Sequence, residues 1–256
     1  MGFKGSLVRI QSPRPAFFSR PGRSAALFLP CRPRIGGPVT DFSRPRGEMI
    51  RRLASSVDPS DLAYARVLEA MSSIPRHLFV EPPLWHRAYS DCSLPIGRGQ
   101  TLSQPATVLA CLSALDPGPS DSMLEVGSGS GYLACLAGRL CGRVTGIETM
   151  LDLVHRSRKV IEGLGLTNVH VNYGDGSAGW PSGAPYDCIL LSAASGSVHP
   201  ALFDQLAEGG RLGAPLQAEG GQVLRFFRKS DGRVSGFGEA VPCRFVPLTG
   251  RFGSDG

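Results

Sequence analysis

The sequence lacks any apolar run that approaches the roughly 18 residues of a membrane-spanning helix. It also lacks a CxxC pair, and its five histidines are not spaced like metal ligands. We therefore predict neither a membrane partner nor a bound metal. What remains is a chain of 256 residues, which is long enough for one α/β domain with a sizeable core.

The larger part of the chain has almost no net charge. Residues 1–48 hold nine Lys or Arg and two acids, a charge of +7, whereas the whole chain carries +6. The remaining 208 residues therefore hold 18 bases and 19 acids, a charge of −1. Because an enzyme that acts on nucleic acid more often has a basic surface on its folded part, we predict no nucleic-acid partner.

The cysteines are odd in number, and several lie within apolar stretches. The seven are Cys31, Cys92, Cys111, Cys135, Cys141, Cys188 and Cys243. Small buried hydrophobic side chains explain this pattern better than disulfides or metal ligands. A reducing compartment follows, and we predict a cytoplasmic location.

Residues 1–48 differ in composition from the rest. They contain seven Pro, six Gly and no acid before Asp41, and no helical or strand period persists in them, so we predict a disordered extension. Two alternatives stay open. The stretch resembles a transit peptide, although prolines interrupt its amphipathic pattern, and translation could instead start at Met49. The globular domain is accordingly predicted over residues 49–256.

From residue 61 onward, apolar periodicity predicts strands that alternate with helices. Strands are predicted at residues 123–126, 144–148, 169–173, 187–194, 211–216 and 222–228. Helices are predicted between residues 60 and 75 and at residues 104–115, 132–140, 151–164 and 200–207. Residues 76–103 are predicted to be loop-like. This alternation indicates an α/β fold with a doubly wound, mostly parallel sheet.

The strongest local motif is LEVGSGSGY at residues 124–132, where a predicted strand runs into a glycine-rich turn that opens a helix. Gly127, Gly129 and Gly131 let the backbone turn tightly and approach a ligand, and the start of the helix supplies free N–H groups. This arrangement is typical of a nucleoside-containing cofactor at the carboxyl end of the first strand. A purely structural turn is the alternative.

Two acidic residues narrow the choice of cofactor. Glu148 ends the second strand, 23 positions after Glu125, where it can accept hydrogen bonds from both hydroxyls of a ribose. Glu125 comes just before the glycines, where a carboxylate suits the amino group of a methionine moiety and repels a pyrophosphate. The pattern therefore favours S-adenosylmethionine over NAD, the cofactor of a dehydrogenase.

A third acid, Asp175, lies with Gly176 in a Gly-Asp-Gly turn after the third predicted strand. Its carboxylate can accept a hydrogen bond from the amino group of an adenine. Asp-Gly is also a common turn pair, so a plain turn is the alternative for this position.

These motifs, in this order, resemble the protein-L-isoaspartate O-methyltransferase family. The resemblance includes AYSD at residues 88–91 and LPIGRGQTLSQP at residues 94–105, a segment that methyltransferases at large do not have. It continues through GDG at 174–176, GGRL at 209–212 and FVPL at 245–248. It implies a Rossmann-like class I methyltransferase fold and S-adenosyl-L-methionine as the cofactor.

The resemblance also implies roles for individual residues. Ser103 matches the active-site serine of the family, and Thr249 matches a position that closes over the site. The residues implied at the junction of cofactor and substrate are Gln100, Thr101, Leu102 and Ser103. The other predicted cofactor contacts are Glu125, Gly127, Gly129, Gly131, Glu148, Asp175 and Gly176. From the residues alone, Ser103 is also a favoured N-cap for the helix that follows, and the two roles are compatible.

The reaction implied by the resemblance is methyl transfer to the free α-carboxylate of an isoaspartyl residue, which starts the repair of damaged proteins through a succinimide. That carboxylate is ionised at neutral pH, so the absence of an obvious catalytic histidine is no objection. Two other functions stay open: an aspartate O-methyltransferase for a dedicated precursor peptide, and a non-catalytic protein that binds the cofactor. A monomer is expected from the resemblance alone.

The sequence departs from the family pattern in two stretches, residues 195–199 and 213–216, and His199 stands where the family usually has an apolar residue. Both stretches are expected near the binding edge of the sheet. The departures therefore affect the expected substrate preference more than cofactor binding.

Overall fold

The computed structural model describes residues 41–253, whose centre is a sheet of seven strands. The strands of this sheet are β3 (Ser122–Val126), β4 (Arg143–Glu148), β5 (Val169–Tyr173), β6 (Tyr186–Leu191), β7 (Leu206–Ala218), β8 (Gly221–Ser230) and β9 (Arg233–Cys243). Two further strands, β1 (Leu94–Gly97) and β2 (Gln100–Leu102), form a separate hairpin. The helices are α1 (Ser43–Ala54), α2 (Leu62–Ser73), α3 (Pro105–Leu115), α4 (Tyr132–Ala137), α5 (Leu151–Gly163) and α6 (Pro200–Asp204). Within residues 41–253, none of the helices is long and apolar enough to cross a membrane.

The strand order of the large sheet is β5-β4-β3-β6-β7-β8-β9. The first five strands in this order pair in parallel, and β8 and β9 add as an antiparallel meander. The chain thus starts in the middle of the sheet at β3, moves outward to β5, and then crosses back to β6. This doubly wound arrangement confirms the predicted fold class.

Strand register brings the site residues together. Val126, the last residue of β3, pairs with Ile147 of β4 on one side and with Leu191 of β6 on the other. The carboxyl ends of the three strands are therefore level. The residues that follow these ends, Gly127 and Ser192, lie beside Glu148 at one edge of the sheet, where ligands bind in open α/β sheets.

Both faces of the sheet are buried. Leu124 and Ile189 face one side with α6, whereas Met123 and Cys188 face the other side with α3, α4 and α5. Each of these four side chains is 0% exposed. Near-continuous apolar strands such as β6 form in this environment because neither face meets water.

Helix α1 corrects the sequence prediction for residues 43–48, which expected no regular structure there. The helix contains these residues and buries Met49 and Leu53. Phe42, just before the helix, packs on His77 with 4.4 Å between the ring centroids. These long-range apolar contacts outweigh the weak local helix signal. The remainder of the predicted extension, residues 1–40, lies outside the described residues.

Several smaller differences separate the prediction from the fold, and α4, for example, ends at Ala137 and not at residue 140. Residues 76–103, predicted as loop, contain two 3₁₀ helices, Arg76–Phe79 and Pro82–Arg87, and the β1–β2 hairpin. The sequence does not predict β9, because its side chains are mostly exposed and show no apolar alternation. Helix α6 ends before its predicted end at residue 207 because β7 already begins at Leu206.

Candidate active site

The glycine loop lies where β3 ends. Gly127, Gly129 and Gly131 have φ angles of 77°, 51° and 81°, in the left-handed region that glycine adopts without strain. A Cβ atom on Gly129 would come within 3.2 Å of the Ile96 side chain. The N–H groups of Gly127 and Ser128 both donate to the carbonyl of Ile147, at 2.8 and 3.1 Å. The loop therefore folds over the end of β4.

Glu148 holds this loop from the neighbouring strand. Its Oε2 accepts the N–H of Gly129 at 2.8 Å, and its Oε1 accepts the N–H of Met150 at 2.9 Å. The side chain is 6% exposed and lines the cavity described below. Because a carboxylate has about four lone-pair sites, Glu148 keeps acceptor capacity for a ligand hydroxyl.

Glu125 lies behind the loop and is 2% exposed. Ser192 donates its hydroxyl to Oε1 at 2.8 Å, whereas the buried Oε2 accepts no hydrogen bond within residues 41–253. Burial raises the pKa of Glu125 to about 8, the neighbouring charge of Glu148 adds to the rise, and the bond from Ser192 opposes it. A buried carboxyl with an unused oxygen is costly, and a cationic ligand group beside it would relieve that cost.

A cavity that opens to solvent lies over the loop. The predicted site residues that line it are Gln100, Thr101, Gly127, Gly129, Glu148, Gly176 and Thr249. The predicted residues outside its lining are Leu102, Ser103, Glu125, Gly131 and Asp175. Of these, Gly131 packs against α5, since a Cβ atom there would come within 3.0 Å of Ser157. The cavity is therefore framed by the glycine loop, the β1–β2 hairpin and residues 246–249. No group of three or more His, Cys, Asp or Glu side chains suited to a metal ion occurs among the described residues.

The segment after β9 closes one side of this cavity. The carbonyl of Val246 accepts the N–H of Ala194 at 2.8 Å, and the N–H of Leu248 donates to the carbonyl of Ala194 at 2.7 Å. The hydroxyl of Thr249 lies 3.2 Å from that of Thr149. The segment is thus attached to the ends of β4 and β6, on either side of the glycine loop.

Asp175 binds the same segment at Arg251, two residues after Thr249. Its Oδ1 accepts the N–H of Ser177 at 2.8 Å, as in an Asx turn, and its Oδ2 accepts the N–H of Arg251 at 2.7 Å. Both carboxylate oxygens therefore have partners within the chain. The turn interpretation of Asp175 describes this geometry, and its contact with adenine stays a prediction.

Ser103 follows β2 and is half-buried. The N-cap of α3 is Gln104, so the alternative that Ser103 caps this helix is wrong. Asp91 supplies the capping oxygen from elsewhere, accepting the N–H of Ala106 at 3.1 Å and the side-chain amide of Gln104 at 3.0 Å. Within residues 41–253 the Ser103 hydroxyl makes no hydrogen bond, which leaves it available to a ligand.

The sequence alone does not predict a role for three residues of the site: Ser192, Asp91 and Arg76. Ser192 had a usable signal, because it is the first polar residue after an apolar central strand. Asp91 belongs to the AYSD motif, but the motif alone does not indicate its role. Arg76, whose guanidinium donates to the carbonyl of Ser103 at 2.7 Å, had no signal, because it lies in a stretch that the sequence predicts as loop.

Known proteins resemble this chain in sequence. Residues 52–253 match the family described as protein-L-isoaspartate(D-aspartate) O-methyltransferase. A protein-L-isoaspartate O-methyltransferase from Anaeromyxobacter dehalogenans (strain 2CP-C) is 44% identical over 203 residues, which are 78% of this chain and 97% of that protein. One from Methanoculleus marisnigri is 44% identical over 191 residues, or 75% and 86% of the two chains.

Solved structures show the same likeness. A protein-L-isoaspartate O-methyltransferase superposes with a TM-score of 0.72 at 28% identity, over 81% of this chain and 67% of that one. A putative family member from Plasmodium falciparum, solved with S-adenosyl-L-homocysteine, superposes with a TM-score of 0.67 at 24% identity, over 82% and 99% of the two chains. The second likeness concerns the fold alone. Since the family match covers most of the described residues and close relatives share nearly half their sequence, the chain belongs to the protein-L-isoaspartate(D-aspartate) O-methyltransferase family.

Proposed function

We propose that this protein transfers a methyl group from S-adenosyl-L-methionine to the free α-carboxylate of L-isoaspartyl residues in damaged proteins or peptides. Family membership confirms the predicted enzyme class and reaction. The observation that carries the proposal for this particular chain is the pair of buried carboxylates around the glycine loop. Glu125 offers an unused oxygen on one side, and Glu148 offers acceptor capacity in the cavity.

The described residues fit the cofactor group by group. The Glu125 carboxylate suits the amino group of the methionine moiety, and Glu148 suits the ribose hydroxyls. Gly127 and Gly129 leave room beside the backbone because they carry no Cβ. Gly176 lines the same cavity, next to the Asp175 turn to which we assign the adenine end. Thr249 belongs to the segment that closes the cavity, and Gln100 and Thr101 face it from the hairpin.

The chemistry requires orientation more than acid–base catalysis. When bound, S-adenosyl-L-methionine supplies an electrophilic methyl group on its sulfonium. The isoaspartyl carboxylate is the nucleophile and is already ionised at neutral pH, so the protein needs no general base. Holding an oxygen of that carboxylate in line with the methyl carbon can lower the barrier by about 7–11 kcal/mol.

Ser103 is the residue that we assign to this orientation. Its free hydroxyl can donate one hydrogen bond to the carboxylate oxygen that does not react. A neutral donor suits this task because a stronger, charged donor would reduce the nucleophilicity of the carboxylate. The products are a methyl ester and S-adenosyl-L-homocysteine. The following peptide nitrogen then displaces methanol from the ester to form a succinimide, whose hydrolysis returns aspartyl or isoaspartyl peptide.

The surroundings of the reaction are part of the proposal. We place the protein in the cytoplasm, since all six cysteines among the described residues are free thiols, which suits a reducing compartment. We also expect a monomer that acts on protein or peptide substrates one at a time. Light scattering coupled to size-exclusion chromatography measures the oligomeric state directly.

Transfer of a radiolabelled methyl group tests the function, with the full chain as enzyme. The substrates are an isoaspartyl peptide and its twin with normal aspartate. We expect label in the isoaspartyl peptide alone. We also expect Ser103→Ala to reduce kcat/KM about 30-fold, because one hydrogen bond to a charged group is lost, while the Kd for S-adenosyl-L-homocysteine stays unchanged.

Two results would contradict the proposal. Equal labelling of both peptides would show that the site does not recognise the isoaspartyl linkage. Binding of S-adenosyl-L-homocysteine without transfer to either peptide would favour a dedicated precursor peptide or a non-catalytic protein.

A further inference from the structure

Arg76 is the largest of the fully buried side chains, with 0% of its surface exposed. It opens the 3₁₀ helix Arg76–Phe79, directly after Pro75. This helix begins the irregular stretch that leads to Ser103. Burying a charged side chain is costly unless its polar atoms have partners, so the contacts of the Arg76 guanidinium are informative.

The guanidinium joins two distant points of the irregular stretch. Its Nε donates to the carbonyl of Ala88 at 2.8 Å, and its Nη2 donates to the carbonyl of Ser103 at 2.7 Å. Nη2 also approaches the carbonyl of Cys92 at 3.4 Å. The two short bonds connect the start of the AYSD segment to the residue that directly follows β2. The backbone of Ser103 is therefore held by the side chain of Arg76.

The same guanidinium also contacts the start of α4, next to the cofactor loop. Its Cζ atom lies 5.0 Å from the ring centroid of Tyr132. Tyr132 is the first residue of α4 and directly follows Gly131. Arg76 therefore lies at the junction of the stretch that carries Ser103 and the loop that we assign to the cofactor.

The charge of Arg76 has no carboxylate partner. The five ion pairs within residues 41–253 do not include it, although the carboxylate of Asp91 and the side chain of Tyr132 act on its charge from nearby. Burial lowers the pKa of this group, and Tyr132 partly opposes that effect. An apolar side chain of similar volume often stabilises a fold as well as a buried charge does. The presence of a guanidinium at this buried position is thus better explained by its hydrogen bonds to the two carbonyls than by a contribution to the stability of the fold.

We propose that Arg76 is a positioning residue for methyl transfer. By holding the carbonyl of Ser103, it fixes the direction of the Ser103 hydroxyl toward the substrate carboxylate. The inference rests on the proposed function and adds a residue to it. Lysine cannot replace Arg76, because a single ammonium does not reproduce the planar fork that reaches two carbonyls at once.

A double-mutant cycle on kcat/KM for the isoaspartyl peptide tests this inference. Arg76→Met in the otherwise unchanged protein is expected to reduce kcat/KM about tenfold, mainly through a higher KM for the peptide. In the Ser103→Ala background the same change is expected to cost less than about twofold, because the hydroxyl that Arg76 positions is already absent. The Kd for S-adenosyl-L-homocysteine is expected to stay within about twofold in all four proteins.

Arg211→Met is the matched control. Arg211 is also mostly buried and donates to a carbonyl, that of Asp116 at 3.1 Å, and to Asp121 at 3.0 Å. It lies within β7, where it pairs with Cys188 near the start of β6 and away from the carboxyl ends of the strands. We expect a loss of stability in this variant, with an equal and small effect on kcat/KM in both Ser103 backgrounds.

Equal losses from Arg76→Met in the two backgrounds would overturn the inference and leave Arg76 a structural residue. If Arg76→Met does not fold, Arg76→Lys is measured in the same cycle, because it keeps the charge and loses the double contact. Equal losses there would overturn the inference as well. Failure of the unchanged protein to label the isoaspartyl peptide would instead contradict the proposed function, so the two failures are distinguishable.

Discussion

Two regions of the molecule meet at the site, and they are built differently. The cofactor region, residues 122–150 and 169–177, consists of parallel strands whose ends are level, with its acids directly at those ends. The substrate segment, residues 76–106, contains only two 3₁₀ helices and a short hairpin. Its shape depends on side chains that reach across it: Arg76 to Ser103, Asp91 to Ala106, and Arg156 to the carbonyl of Ile96 at 2.9 Å.

This difference indicates that cofactor binding and substrate binding can be altered independently by substitution. Backbone register positions the cofactor region, and register involves many hydrogen bonds that no single substitution removes. Individual side-chain contacts position the substrate segment. Single substitutions in the cofactor region should therefore change the Kd for the cofactor, and those in the substrate segment should change the KM for the peptide.

The largest effect is expected from Glu148→Gln. The change removes the charge that holds Gly129 and that we assign to the ribose, so we expect the Kd for S-adenosyl-L-homocysteine to rise about 100-fold. Calorimetric titration measures it. Asp187→Asn is the control, since Asp187 accepts the N–H of Ser122 at 2.8 Å at the far end of the strands and should leave this Kd unchanged. Equal losses in both variants would show that Glu148 acts through the stability of the strands and not through a contact with the ligand, which would contradict its assignment.

Glu125→Gln is expected to weaken cofactor binding about tenfold and to stabilise the cofactor-free protein at high pH. Burial raises the pKa of Glu125 to about 8, so between its unfolded value and pH 8 the folded state holds one more proton than the unfolded state. The free energy of unfolding should therefore fall as pH rises through this window. In the variant this fall, on the order of 3 kcal/mol, should be absent.

Urea unfolding of both proteins between pH 5 and 9 (a span of about four units) measures this difference. The comparison is made without cofactor, since a ligand that binds the charged form changes the pKa of the carboxyl. Parallel stability curves for the two proteins would show that Glu125 does not titrate within this range, which would contradict the assigned cause.

Asp91→Ala tests the substrate segment. Loss of the acceptor for Ala106 should cost about 1 kcal/mol of stability. It should also raise the KM for the isoaspartyl peptide about fivefold, because the chain around Ser103 and Gln104 is less well held. Asp61→Ala is the matched control, because Asp61 caps α2 by accepting the N–H of Ala63 at 2.8 Å. It should lose similar stability without a change in KM, and a similar rise in KM there would contradict the assignment.

The smallest effect is expected from Arg98→Ala. Arg98 lies in the turn of the β1–β2 hairpin and pairs with Asp152 on α5, with both side chains more than half exposed. Exposed ion pairs contribute little, so kcat/KM should change by less than about twofold. A larger loss in steady-state kinetics, reversed by the charge-swapped pair Arg98→Asp with Asp152→Arg, would show that the hairpin depends on this contact.

The sequence predicts the cofactor region well because its signals are local. The glycine loop follows directly on a strand that apolar periodicity identifies, Glu125 and Glu148 lie in the last positions of such strands, and the structure places these strand ends level. The resemblance to the family, confirmed by the comparisons, added the expectation for Ser103, whose role in the reaction stays a proposal.

The substrate segment could be predicted only in part, because its contacts connect residues far apart in the chain. Nothing near Arg76 indicates that its guanidinium lies 2.7 Å from the carbonyl of Ser103, 27 positions later. Capping of α3 by Asp91 is a long-range contact of the same kind. The sequence does not predict α1 over residues 43–48 for a related reason, because the stability of this helix comes from packing and not from local propensity.

Amide hydrogen exchange, followed by mass spectrometry, tests the separation of the two regions most directly. S-adenosyl-L-homocysteine alone should slow exchange at residues 126–131 and 147–150. Addition of an isoaspartyl peptide should then slow exchange at residues 88–92 and 102–106. Slower exchange at residues 88–92 and 102–106 with S-adenosyl-L-homocysteine alone, or unchanged exchange at the glycine loop, would contradict the account.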